Sequence, residues 1–167
     1  MSATPNPNIE GADAAKISDQ VGQQTEPARA PDLNAKPRGQ PTKVSENANA
    51  EGRRGLEREN ESADTLARAG YDIEQNPGKM PNGTKPDYRI DGKIFDNYAP
   101  KSGSPRSIWS HVKEKIDEEQ TERVVLNLAD SPVDLGAMRA QLHEWPINGL
   151  KEVISIDRQG NILHLFP

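Results

Sequence analysis

The sequence predicts an α/β fold, a mixed β-sheet flanked by helices, formed by residues 51–167 behind a disordered N-terminal tail. Three observations lead there. All the aromatic residues lie beyond Glu51. The apolar residues of that region fall by turns into helical stripes and short strand-like runs. Clusters of Gly, Pro, Asn and Asp separate these blocks at the spacing of turns and loops.

Taken in order, Glu51 to Ala69 is rich in Glu, Arg, Leu and Ala and predicts a helix, with Gly70 at its C-terminal stop. Tyr71 to Gln75 is a short strand, and the polar stretch Asn76 to Lys85 is a loop. Asp87–Ile90 and Lys93–Tyr98 flank Asp91-Gly92, a strong signal for a two-residue hairpin turn. Pro100 to Pro105 interrupts the chain. Ser107 is expected to cap a helix reaching about Glu122, with Ile108, Trp109, Val112 and Ile116 as one apolar stripe. Arg123 to Leu128 is a strand whose apolar residues run together, as in a strand buried on both faces. Val133 to Trp145 places Leu135, Met138, Leu142 and Trp145 at helical spacing. Glu152–Ile156 and Ile162–Phe166 form a closing hairpin around Arg158-Gln159-Gly160. The predicted order is α-β-β-β-α-β-α-β-β.

The first 50 residues contain six of the 14 prolines, no aromatic residue, and apolar side chains without period. Such a segment buries too little surface to offset its ordering entropy, about 1–2 kcal/mol per backbone residue, and is expected to be a disordered linker or the remnant of a larger preceding architecture. Its 5 basic and 6 acidic residues exclude a basic nucleic-acid arm. The remaining segment, about 115 residues, suffices for one modest core. With 16 basic and 20 acidic residues it has no overall basic character, which argues against broad phosphate-backbone binding. The chain has no cysteine, so disulfides, thiolate metal sites and cysteine nucleophiles are excluded. No apolar run approaches the ~18–20 residues of a membrane span.

The central hairpin directs attention to two acids. With Asp91 and Gly92 as the turn, Tyr88 faces Phe95 and Asp87 faces Asp96. Tyr88, Ile90 and Phe95 then point to a core face, and the two aspartates are opposed across the strands. Opposed cross-strand side chains have Cβ atoms ~4.5–5.5 Å apart, where like charges destabilise. A shared proton or a bound cation relieves the repulsion, and a carboxylate pair suits a hard divalent ion. An exposed hairpin with Arg89 neutralising both acids is the plain structural alternative. Glu57, Glu59 and Glu61 on the first helix are candidate third carboxylates. Lys113 and Lys115 on the second helix, and Lys101, are candidate ammonium groups for orienting water or stabilising phosphorane charge. His111, His143 and His164 stand alone in sequence. No phosphate-binding glycine loop, GxSxG elbow or HExxH pair is present.

The early helix glutamate, Pro86-Asp87, Asp96 on the next strand and a lysine beyond it resemble the PD-(D/E)XK nuclease superfamily. Related domains carry an E-x-x-A-x-x-x-L-x-x-x-G helix. Glu59 is followed by Ser62, Leu66 and Gly70 at those offsets, which makes Glu59 the expected acid and Glu61 its substitute. Tyr98 stands where the motif lysine is usual. In some members that lysine has moved to the following helix, which points to Lys115 or Lys113.

The segments GLERENESADTLARAGYDIEQNP, KPDYRIDGKIFDNYAPKSGSPRSIW and KEKIDEEQTERVVLNLAD resemble the C-terminal tRNA nuclease domains of bacterial contact-dependent growth inhibition toxins, over about Gly55 to Pro167. The resemblance implies metal-dependent hydrolysis of tRNA in competing bacteria, as the tip of a larger secreted or surface-delivered toxin acting in the target-cell cytoplasm. A cognate immunity protein would neutralise it. It further implies a divalent metal, Mg2+ or Mn2+ with Zn2+ the alternative, held by Glu59, Asp87 and Asp96. Lys115 would position or activate water, and Lys101, Arg106, His111 and Lys113 would receive the substrate backbone. A DNA endonuclease of the same superfamily and a non-catalytic protein-binding effector are the competing expectations.

Overall fold

The structure is a computed structural model that describes residues 24–118 and 121–167. Among them, seven strands form one mixed sheet whose spatial order follows the chain: β1 (Arg38–Gly39), β2 (Ile73–Gln75), β3 (Tyr88–Ile90), β4 (Lys93–Tyr98), β5 (Arg123–Asn127), β6 (Glu152–Ile156) and β7 (Ile162–Phe166). The pairs β1–β2, β4–β5 and β5–β6 are parallel, and the other neighbours are antiparallel. Each parallel pair is joined through a helix: α1 (Ala50–Arg68), α2 (Pro105–Asp117) and α3 (Leu135–Glu144).

The helices lie on two sides of the sheet. Ala63, Leu66 and Ala67 of α1 pack with Tyr88, Ile90, Phe95, Val125 and Ile154. Ile108, Val112 and Ile116 of α2, with Met138 and Leu142 of α3, pack on Val124, Leu126 and Val153 of the opposite face. Successive residues of β5 thus enter different cores, the physical reason its sequence is an unbroken apolar run. No helix of the described residues is long and apolar enough to cross a membrane.

The helix ends differ in detail from the sequence expectation. Ser104, not Ser107, caps α2: its side chain accepts the Ser107 N–H at 3.1 Å, with Pro105 opening the helix. Proline lacks only an N–H that the first turn does not use, so a residue read as a breaker serves as a starter. The helix ends at Asp117, before the expected Glu122, and residues 119 and 120 lie outside the described residues. Asp134 caps α3 through the Ala137 N–H. Trp145 follows α3 and is 47% exposed, packed edge-on against Trp109.

The larger correction concerns the tail. Residues 1–23 of the expected disordered segment lie outside the described residues, but 24–49 follow a defined path against the domain. Thr25 is fully buried, its backbone N–H and hydroxyl both donating to Glu152. The Ala28 and Arg29 N–H groups reach the Gly70 carbonyl, and Asp32 N–H reaches Arg68. Arg38–Gly39 adds the edge strand β1, and Thr42 and Asn60 exchange two hydrogen bonds of 2.8 Å. Two glycines permit this close approach: Gly39 and Gly70 have φ of +77° and +100°, and a Cβ on either would stand 2.1 Å from a carbonyl oxygen. Hydrogen bonds to polar groups elsewhere in the chain order this segment, and apolar composition does not register them.

Candidate active site

The site starts from the β3–β4 turn. Asp91 and Gly92 have φ of +49° and +79°, the positive pair of a type I′ hairpin turn. They set Tyr88 opposite Phe95 and Ile90 opposite Lys93, so Asp87 and Asp96 meet at the far end. Asp96 Oδ1 accepts the Asp87 backbone N–H at 3.1 Å, and Asp87 Oδ2 accepts the Asn97 N–H at 2.8 Å. Each carboxyl thereby completes the ladder with one oxygen and keeps a second. Arg89 does not neutralise the pair; it meets Glu74 of β2 at 3.2 Å.

The two faces of the sheet deliver the remaining groups. Glu59 of α1 stands close enough to Asp87 for its charge to act on that carboxyl, and accepts a hydrogen bond from the Thr42 hydroxyl. Its backbone carbonyl accepts from the Tyr88 hydroxyl, which anchors this turn of α1 over β3. From the opposite face Lys115 of α2 joins Thr84, Lys85, Asp87 and Asp96 around a cleft of about 340 Å3. The Lys115 Nζ stands 5.8 Å from the centre of the Tyr98 ring. Glu59 stands behind Asp87, outside the cleft lining.

Burial and the adjacent Glu59 carboxylate push the Asp87 carboxyl up to about 7, against the pull of the Asn97 N–H and Lys115. Burial and the Asp87 charge push Asp96 up to about 6, with Lys115 again opposing. This is the pattern of a carboxylate cluster short of positive charge. A raised carboxyl beside an ammonium in a cleft marks a candidate for proton transfer or cation binding.

The other sequence candidates are placed differently. Glu57 is exposed. Glu61 forms an ion pair with Arg58 and accepts from Asn127 Nδ2 at 3.3 Å. Lys113 pairs with Asp117, one turn along its own helix, and Lys101 pairs with Glu51 at 2.6 Å. Arg106 lies over the Trp145 ring at 4.2 Å and the Trp109 ring at 5.1 Å. His111 contacts Ser107 O and the Tyr98 ring, outside the cleft lining. His143 packs against Phe166, and His164 lies between Thr25 O and Glu152. The structure therefore brings Glu59, Asp87, Asp96 and Lys115 together, and leaves Lys101, Arg106 and Lys113 with partners of their own.

Three residues of the site carry no signal in the sequence reading. Thr84 and Lys85 end a polar loop, and Thr42 belongs to the segment without apolar pattern. Lys85 stands directly before Pro86-Asp87, so adjacency to the acid was its one available clue.

The donors suit a hard cation. Asp87, Asp96 and Glu59 offer only carboxylate oxygens, and the raised proton affinity of two of them shows a place where positive charge is favourable. Among the described residues no three His, Cys, Asp or Glu side chains form a ready-made cage. Mg2+ does not require one, because it keeps several waters and binds through one or two carboxylates.

Comparison with known proteins identifies the family. The family described as contact-dependent growth inhibition CdiA C-terminal domain matches residues 84–162, a span holding Asp87, Asp96 and Lys115. The tRNA nuclease CdiA-2 of Burkholderia pseudomallei (strain 1026b) is 45% identical over 130 residues, which are 77% of this chain and 4% of that protein. This chain thus corresponds to a small part of that relative's length. A chain of the CdiA-CT/CdiI toxin and immunity complex from Burkholderia pseudomallei superposes with a TM-score of 0.74 at 43% identity, over 77% of this chain and 97% of that one. With nearly the whole of that solved chain matched in sequence and in three dimensions, this chain belongs to the CdiA C-terminal toxin domains of contact-dependent growth inhibition.

Proposed function

We propose that this chain is the nuclease tip of a larger toxin, that it hydrolyses a phosphodiester bond of tRNA in the cytoplasm of competing bacteria, and that a cognate CdiI-type immunity protein neutralises it. The similarity to CdiA-2, a tRNA nuclease, and to the solved toxin–immunity pair supports the substrate and the partner. The observation that carries the chemistry is the Asp87–Asp96 pair, half-buried and buried respectively, charge-starved, and joined by Lys115 in one cleft. We also propose that the fold is a PD-(D/E)XK variant in which Lys115, delivered from α2, replaces the strand lysine.

In this reading Asp87 and Asp96 would hold a divalent metal, Mg2+ or Mn2+ with Zn2+ the alternative, and Glu59 would support the set from behind Asp87. The bound metal would offset charge on the scissile phosphate and acidify a water. Lys115 orients that water and stabilises the phosphorane charge. Lys85, exposed at the cleft, meets the substrate backbone. His111, on the same Tyr98 ring that Lys115 approaches, is a further backbone contact, and Lys101, Arg106 and Lys113 would have to leave present partners to help.

The test is cleavage of total tRNA by wild-type and Asp96→Asn protein, with Mg2+ or Mn2+ and with EDTA, and with plasmid DNA as a second substrate. Removing a metal ligand and removing the metal are each expected to lower tRNA cleavage at least 100-fold, and the immunity protein to abolish it. Undiminished cleavage in EDTA would remove the metal from the mechanism. Undiminished cleavage by Asp96→Asn would remove the aspartate, and cleavage of plasmid alone would reassign the substrate.

A further inference from the structure

A second cavity, of about 740 Å3, adjoins the acidic cleft and shares Thr84 with it. The connection runs along β4. Ile94 lines the larger cavity and Asp96 the smaller, two residues apart on the same side of one strand, a separation of about 7 Å. On α2 the neighbours Ile116 and Lys115 divide in the same way.

The lining of this cavity is mixed. Ile94 and Ile116 present apolar surface, and Met80 and Pro81 form part of the facing wall. That wall is held in shape by its own hydrogen bonds, Met80 N–H to Thr84 O at 2.8 Å and Gly83 N–H to Met80 O at 2.9 Å. The Asn148 side chain is exposed at the rim, with no hydrogen-bond partner among the described residues. Gly92 and Gly149, both at positive φ, leave main-chain groups uncovered by any Cβ at the same rim.

We infer that this cavity receives one unstacked nucleoside of the substrate, the one attached to the phosphate held at Asp96 and Lys115. The cavity volume falls within the ~300–1,000 Å3 typical of small-ligand pockets. Its apolar surfaces suit the faces of a base, and an amide with bare main chain suits its hydrogen-bonding edge. The ~7 Å step along β4 is the reach from a phosphate to the base of the same nucleotide. A base held in a duplex cannot enter, so the enzyme selects a phosphate beside a nucleotide that is unpaired or can be turned out of its stack. The substrate class, though not the cavity, rests on the nuclease reading of the Asp96 cleft.

The experiment uses Asp96→Asn protein carrying 13C-methyl isoleucine, titrated with the four nucleoside 5′-monophosphates and with inorganic phosphate. The Ile94 and Ile116 methyl signals should shift saturably with at least one mononucleotide and not with phosphate. Asn148→Trp, which places an indole at the rim, should abolish the shifts. Asn148→Ala, which removes only the amide, should weaken binding at least threefold and covers the case in which the larger residue disturbs folding. Silent isoleucines, equal shifts with phosphate alone, or unchanged binding by both variants would overturn the inference even if tRNA is cleaved. Isoleucine signals that respond to the immunity protein and to no nucleotide would assign the cavity to that partner and overturn it equally. Shifts with a mononucleotide in a protein whose wild type leaves tRNA intact would uphold the pocket while the nuclease reading failed.

Discussion

Asp87 and Asp96 hold their protons more tightly in the folded chain than in the unfolded one, because burial disfavours both charged forms and is reinforced by Glu59 beside Asp87 and by Asp87 beside Asp96. A carboxyl with a raised folded pKa contributes stability in its protonated state, which is lost as pH rises from about 4 toward the folded values near 6 and 7. Metal-free protein should therefore melt at a lower temperature at pH 7.5 than at pH 5.5. Divalent cation affinity and tRNA cleavage should instead rise across pH 6 to 8, since the ligands must ionise. Lys115→Met removes a charge that favours ionisation of both acids and should move the pH–rate profile to higher pH as well as lowering its plateau. A lower plateau with an unmoved profile would leave Lys115 no electrostatic hold on the pair. Asp96→Asn should be more stable than wild type in EDTA by about 1 kcal/mol, about 3 °C at this size, while losing activity. Thermal melts at matched pH check that. Opposition of the two acids was legible from the sequence because a two-residue turn fixes register. The choice of Glu59 over Glu61 came from the helix motif; in the structure Glu61 pairs with Arg58 and Asn127, and Glu59 accepts from Thr42.

Elements with a periodic pattern and a defined turn were legible. The β3–β4 and β6–β7 hairpins follow the expected ranges because alternation and turn chemistry agree, and β5 was marked by burial on both faces. The segment around Thr25 was not legible, because its order depends on Glu152, 127 residues away. Glu152 is fully buried and also meets Arg123 at 3.2 Å and His164 at 3.4 Å. Its hydrogen bond is the largest influence raising the His164 pKa, with the Thr25 carbonyl adding to it. A histidine raised in this way stabilises the fold fully below its unfolded pKa near 6.5, and that contribution fades as pH rises through the folded value. Glu152→Gln keeps the shape and removes the charge on which Arg123 and His164 depend. It should cost about 1–3 kcal/mol in urea unfolding at pH 6 and flatten the change in stability between pH 6 and 8. Hydrogen exchange at the Thr25 amide should quicken in the same variant. An unchanged Thr25 rate would mean that Glu152 does not hold the segment in place.

At the scale of the whole molecule the site exists only where three layers meet. The residue before β3 and the middle of β4 supply the aspartates, α1 brings Glu59 from one face, and α2 brings Lys115 from the other. The position of α1 is fixed from outside the sheet. Arg54 and Arg58 reach Asp130 beyond β5 at 2.8 and 2.9 Å, and Arg54 also donates to Ala99 O after β4. On the other flank Thr42 bonds Glu59 and Asn60, and the Gln40 carbonyl accepts from Asn76 Nδ2 at 2.7 Å. The segment before α1 therefore packs as one unit with the elements that build the candidate site, and the boundary near residue 50 that composition suggests cuts through it. A chain beginning at Glu46 loses β1, Thr42 and the Thr25–Glu152 bonds together, and exposes a buried carboxylate. It should be at least 3 kcal/mol less stable in urea, the scale of breaking one buried charged network. Its tRNA cleavage should fall further than that of Thr42→Ala, which removes only the hydroxyl on Glu59. Urea melts followed by tryptophan fluorescence, together with cleavage assays at a temperature where both variants stay folded, separate the two effects. A truncated protein with full stability and full activity would return the boundary to residue 50 and reduce these contacts to surface packing.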